Sequence, residues 1–125
     1  MSGGRTVFVV DDDPAMRDSL NWLLGAEGLS VETYETAEAF LGIYDPARAG
    51  CLIVDVCLPG MSGLDLQDEL RARGITLPVV IVTGYGEAAS RARALRAGAL
   101  DFIEKPLNVE VLLDRIHEAL ESGHN

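Results

Sequence analysis

Four short stretches hold the residue types that could do chemistry: Asp11-Asp12-Asp13, Asp55, Thr83-Gly84 and Glu104-Lys105-Pro106. Carboxylates gathered at that density repel one another. At about 4 Å and an effective dielectric near 20, each like-charge pair costs on the order of 4 kcal/mol as an upper guide. A hard cation relieves the repulsion. An all-oxygen, incompletely enclosed set suits Mg²⁺, which keeps several waters and takes one or two carboxylates. Asp11, Asp12 and Asp55 are the candidate ligands, while Asp13 reads as a helix cap. Beside such a site, Thr83 and Lys105 are what a phosphoryl group needs, a hydroxyl donor and an ammonium point charge to share its oxygens with the cation. Lys105 is the only lysine among ten Lys and Arg residues, consistent with a place that requires a compact ammonium on a flexible stem.

These residues must be positioned by the elements around them. Thr6–Val10, Leu29–Tyr34, Cys51–Val54, Leu77–Val82 and Leu100–Ile103 read as strands. The first, third and fourth are nearly continuous in apolar residues, as expected of strands covered on both faces. Helical spacing fills the intervals. Pro14–Glu27 has Asp13 to cap it, Pro14 at its first position and Gly28 beyond its end. Thr36 caps a second helix through about Tyr44. Ser62 and Asp65 have capping-box spacing ahead of Leu66 and Leu70, with Gly74 beyond the end. Glu87–Ala97 stops at Gly98, and Asn108 caps a last helix carrying Val111, Leu112, Ile116 and Leu120 on one face. Five strand–helix alternations predict a parallel sheet with helices on both sides. Such sheets bind ligands beyond the carboxyl ends of their strands, where the four reactive stretches fall.

The totals bound the rest. A chain of 125 residues with 48 % apolar composition is read as one domain spanning 1–125 with a real core. It should bury roughly two-thirds of its unfolded surface. A formal charge of −10 argues against direct contact with nucleic acid or an anionic membrane. The N-terminal apolar run is too short for a membrane span or a secretory signal. Cys51 and Cys57 fit neither a disulfide framework nor a CxxC spacing, which points to a reducing cytoplasmic setting. Asp65 and Asp68 read as helix-surface charges, Arg91, Arg93 and Arg96 as a solvated face, and Trp22 as a packing residue of the first helix.

The stretches VVDDD (9–13), IVDVCLPGMSGLDL (53–66), IVTGYG (81–86) and DFIEKPL (101–107) together resemble the receiver domain of two-component response regulators, in particular the FixJ-type receivers. The resemblance implies a flavodoxin-like (CheY-like) doubly wound sheet of five parallel strands with helices on both faces. It implies Asp55 as phosphoacceptor, Asp12 as a direct Mg²⁺ ligand, Asp11 holding the ion through water, and the Cys57 backbone carbonyl as the remaining protein ligand. Thr83 and Lys105 are implied to bind the phosphoryl oxygens. Phe102 takes the place of the switch aromatic that turns inward as the threonine moves, and the Lys105–Pro106 bond is implied to be cis. Cys57 and Tyr85 hold the positions that tune dephosphorylation. The implied partners are a sensor histidine kinase and a second copy, in a phosphorylation-dependent homodimer through the fourth helix and fifth strand. The implied activity is confined to the domain's own phosphorylation and dephosphorylation. Control of transcription would lie with a DNA-binding domain outside this chain. One departure is Leu58-Pro59, where the family usually has Met-Pro.

Two rival readings remain at this point. A haloacid-dehalogenase-type phosphatase also uses an aspartate nucleophile with Mg²⁺, Thr or Ser, and Lys, and Asp11-x-Asp13 superficially fits its motif. Against it stand Ala15 where that motif has Thr or Val, the short chain and the lack of a cap insertion. The other rival is a receiver-like module acting through protein contacts, either freestanding or without phosphoryl chemistry. The intact Asp11, Asp12, Asp55, Thr83 and Lys105 argue against loss of the chemistry.

Overall fold

The computed structural model describes residues 5–84 and 86–122. Strands β1 (Thr6–Val10), β2 (Ser30–Tyr34), β3 (Gly50–Asp55), β4 (Val79–Thr83) and β5 (Asp101–Glu104) alternate with helices α1 (Pro14–Ala26), α2 (Ala37–Ile43), α3 (Gly63–Ala72), α4 (Ala88–Arg96) and α5 (Val109–Ser122). All pairings are parallel, in the order β2-β1-β3-β4-β5.

The central strands are buried on both faces because side chains alternate across a pleated sheet. Phe8, Val10, Leu52, Val54 and Ile81 pack with Phe40 of α2, Leu64, Leu66 and Leu70 of α3, and Ala94 of α4. On the other face, Val7, Val9, Cys51, Ile53, Val80 and Val82 meet Leu20 and Leu24 of α1 and Leu112, Ile116 and Ala119 of α5. Burial pushes the Cys51 thiol up to about 12, so it packs as an inert hydrophobe.

Capping fixes the helix starts. Asp13 Oδ1 accepts from Ala15 N at 3.0 Å, Thr36 Oγ1 from Ala39 N at 3.0 Å, Ser62 Oγ from Asp65 N at 3.1 Å and Asn108 Oδ1 from Val111 N at 3.1 Å. The strand bounds differ from the expected ones at several ends. Leu29 stays outside β2 because its N–H turns back to the Leu24 carbonyl at 3.1 Å, closing α1 around Gly28 at φ 83°. β4 starts at Val79 rather than Leu77, although the Pro78 carbonyl, lacking an N–H beside it, still accepts from Leu52 N at 2.8 Å. Asp55 and Thr83 are the last residues of their strands rather than the first beyond them, in register with Val82 and Glu104.

Trp22 does not pack into the core. It is 73 % exposed, because it lies two residues, or roughly 200°, around α1 from buried Leu20. Among the described residues, no helix is long and apolar enough to cross a membrane.

Candidate functional site

The carboxyl ends of β1, β3, β4 and β5 converge on one crevice. Asp11 follows β1 directly, with its N–H still bonded to the Tyr34 carbonyl at 3.1 Å, which carries the sheet geometry one residue further. Asp55 ends β3 and is pressed from behind by the start of α3. A Cβ at Gly63 would run into the Asp55 carbonyl and come within 3.2 Å of the Val54 side chain, so only glycine admits the helix this close. Thr83 ends β4 fully buried, and its carbonyl accepts from Lys105 N at 2.8 Å. The Lys105–Pro106 peptide bond is cis.

Lys105 Nζ lies 2.8 Å from Asp55 Oδ2 and 2.9 Å from Asp11 Oδ2, bridging two carboxylates from strands that are distant in sequence. Each carboxylate gives its other oxygen to backbone. Asp55 Oδ1 accepts from Cys57 N at 2.9 Å, and Asp11 Oδ1 from Asp13 N at 3.0 Å. Burial pulls the Lys105 ammonium downward in pKa, but its hydrogen bonds to Asp55 and Asp11 more than offset this and hold it above its ordinary value of 10.5. It is therefore a fixed cation at neutral pH. Asp12, exposed beside them, completes a cluster in which one carboxylate oxygen from each residue lies within 4.8 Å of the others. Three carboxylates against one ammonium leave a net negative site with one acid open to water. That donor set fits a hard divalent cation.

Of the remaining sequence candidates, Cys57 is exposed, and its N–H fixes the Asp55 carboxylate. Tyr85 lies outside the described residues. Phe102 is already inward, at 4 % exposure, while Thr83 is also fully buried, so ring and threonine are not mutually exclusive occupants of the interior here. Arg91 covers this ring at 6.0 Å and donates to the Phe102 carbonyl at 3.0 Å. Asp13 caps α1 through Oδ1 and is not among the grouped carboxylates.

Several contacts escaped sequence reasoning. Arg17 reaches back from α1 to donate to the Asp11 carbonyl at 2.7 Å, locking the β1–α1 turn. Arg93 is not simply solvated: it bonds Asp65 at 3.1 Å and Asp68 at 2.7 Å, tying α4 to α3. Buried Gln67 adds a second tie, donating to the Ala94 carbonyl at 3.0 Å. Glu38 of α2 accepts from Met61 N at 3.0 Å in the loop after Asp55. The spacing offered one cue, an arginine six residues beyond Asp11; the other pairs are 23 to 28 residues apart and carry no local pattern.

An open parallel sheet with an acid cluster and a lysine at its carboxyl edge defines a class of phosphoryl-handling α/β domains, and comparison with known proteins narrows it. Residues 7–117 match the family described as response regulator receiver domain. The chain is 44 % identical over 115 residues to the transcriptional regulatory protein TdiR of Thauera aromatica, covering 92 % of this chain and 51 % of that protein. It resembles the solved structure of the response regulator StyR with a TM-score of 0.91 and 42 % identity, over 95 % of this chain and 60 % of that one. It also resembles the crystal structure of FixJ-N, with a TM-score of 0.87 and 38 % identity, over 97 % of this chain and 96 % of that one. The chain belongs to the response regulator receiver family, and within it to the kind found in transcriptional regulators. It spans about half the length of the curated relatives it matches.

Proposed function

We propose that this chain is a phosphorylation switch in which Asp55 accepts a phosphoryl group from the phosphohistidine of a sensor kinase. The observation that carries this reading is the Lys105 bridge, which holds the buried Asp55 carboxylate at 2.8 Å in the acidic crevice beside Asp11. In the transfer, an Asp55 carboxylate oxygen forms the new O–P bond as the P–N bond of the donor breaks. Cys57 N–H fixes the other oxygen, so the nucleophile keeps one orientation. Lys105 then exchanges a carboxylate for a phosphoryl oxygen, and Thr83 supplies a hydroxyl donor. Mg²⁺ would be held by Asp11, Asp12, Asp55 and the Cys57 carbonyl, where it would neutralise charge between the acids and the phosphoryl oxygens. The chain catalyses only this self-modification and its reversal, tuned by the side chains at Cys57 and Tyr85.

The added charge of about −1.5 to −2 selects a second arrangement of α4 and β5. β5 closes one edge of the sheet, and α4 beside it exposes Leu95, which supports a homodimer through that face. The whole of 1–125 acts as one cytoplasmic receiver, and control of transcription belongs to a DNA-binding region of the full regulator. Sedimentation with and without beryllofluoride tests the output: the mimic is expected to shift monomer to dimer in wild type and to fail in Thr83→Ala. An equal shift in both proteins contradicts the mechanism.

A further inference from the structure

The loop from Val56 to Ser62 leads from the acceptor into α3, and under the reading above its Cys57 carbonyl is a metal ligand. A backbone ligand has no rotamers, so only the path of the loop can place it. At its start the loop is anchored by Cys57 N to Asp55 Oδ1 at 2.9 Å and Leu58 N to the Val56 carbonyl at 3.2 Å; at its end Gly63 N bonds the same carbonyl at 3.1 Å. Its tip is held differently. Glu38, in the first turn of α2, accepts from Met61 N at 3.0 Å through Oε2. This bond ties the loop tip to α2, an element outside the strand and helix that the loop joins.

The tip is shaped to receive this carboxylate. Gly60 sits at φ +74°, and a Cβ there would lie 2.6 Å from Glu38 Oε2. Gly60 thus both makes the turn and clears the space in which Glu38 reaches the next N–H. Favourable placement of an acid near the α2 N-terminus would account for Glu38 by itself, but not for its reach to Met61 across 23 residues or for the cleared space at Gly60.

We infer that Glu38 is a positioning residue for the cation site, clamping the loop tip so that the Cys57 carbonyl faces Asp11, Asp12 and Asp55. The inference rests on the proposed metal and acceptor roles, so its test separates the two. Wild type, Glu38→Ala, Glu38→Gln and Glu38→Asp are titrated with Mg²⁺ alone by calorimetry. They are then phosphorylated with acetyl phosphate across the same Mg²⁺ range. Loss of one charge-assisted hydrogen bond predicts a half-saturating Mg²⁺ concentration about three- to tenfold higher in Glu38→Ala. The same rise is expected in Glu38→Asp, whose side chain keeps the charge but is one methylene too short. The phosphorylation rate at saturating Mg²⁺ stays within about twofold of wild type, because the acceptor itself is untouched. Glu38→Gln retains an acceptor oxygen at full reach and restores Mg²⁺ affinity to within about twofold.

Unchanged Mg²⁺ affinity in Glu38→Ala overturns the inference, even if that variant melts lower. Wild-type behaviour in Glu38→Asp with a loss in Glu38→Gln also overturns it, since charge rather than reach would then be acting. A wild type that binds Mg²⁺ but accepts no phosphoryl group refutes the acceptor reading instead, and the calorimetric series still decides the role of Glu38.

Discussion

Replacing Lys105 by methionine keeps an unbranched four-atom stem and removes the cation shared by Asp11 and Asp55. Those carboxylates are 1 % and 8 % exposed at the side chain, so neither can recover its hydration without opening the crevice. Removing one partner of a buried ion pair costs about 3–5 kcal/mol, chiefly through the charge left behind. The lysine itself is 19 % exposed and exposed Asp12 lies alongside, so water reaches the mouth of the site and the lower end, about 3 kcal/mol, applies. For a domain of this size that corresponds to a melting temperature lower by roughly 10–15 °C in chelator. A cation bound only to the folded state at about a hundredfold its dissociation constant returns about 2.7 kcal/mol. Millimolar Mg²⁺ is therefore expected to raise the variant's melting temperature by most of the deficit, and by more than it raises wild type. Thermal melts followed by circular dichroism, with chelator and with Mg²⁺, read both quantities. A variant within about 1 kcal/mol of wild type in chelator, or one no more sensitive to Mg²⁺ than wild type, refutes the electrostatic account of the site.

Three further outcomes follow from the packing. Gly63→Ala forces α3 away from the Asp55 carbonyl and is expected to cost more than about 2 kcal/mol in denaturant unfolding while slowing phosphoryl acceptance; near-wild-type stability contradicts the close approach. Gln67→Leu is expected to cost less than about 1 kcal/mol, because Gln67 Oε1 has no partner and the Ala94 carbonyl keeps Ala99 N at 3.0 Å, whereas Gln67→Ala opens a cavity and costs about 2 kcal/mol or more. The hydrogen bond from Arg48 outweighs burial and holds the Glu32 carboxyl below its ordinary 4.5, so its contribution is present above that pH and is lost as pH falls through the lowered value. The stability difference between wild type and Glu32→Gln should accordingly be full at neutral pH and vanish in acid, and a difference that grows below pH 4.5 would contradict the pairing.

The doubly wound architecture was readable because β1, β3 and β4 are covered on both faces and must be apolar throughout, while Asp13, Thr36, Ser62 and Asn108 mark their helices through local capping bonds. The convergence of the acids and Lys105 was readable for a related reason. A parallel sheet puts every strand's carboxyl end on one edge, so Asp11, Asp55, Thr83 and Lys105 meet once the alternation is recognised. What the sequence did not reveal depends on side chains meeting across elements. Arg93 with Asp65 and Asp68, Gln67 with Ala94, and Glu38 with Met61 follow from how helices settle on the sheet, which no periodicity encodes. Trp22 misled because hydrophobicity alone favours burial, whereas its angular position on α1 puts it in solvent.

The central claim is that Asp55 is the phosphoacceptor. Intact-protein mass spectrometry after incubation with acetyl phosphate and Mg²⁺, with peptide mapping of the modified residue, tests it most directly. One phosphoryl group per chain, carried on Asp55, absent when Mg²⁺ is chelated and absent from Asp55→Asn, is the expected result. Undiminished labelling of Asp55→Asn, or a phosphoryl group mapped to any other residue of the wild type, would contradict it.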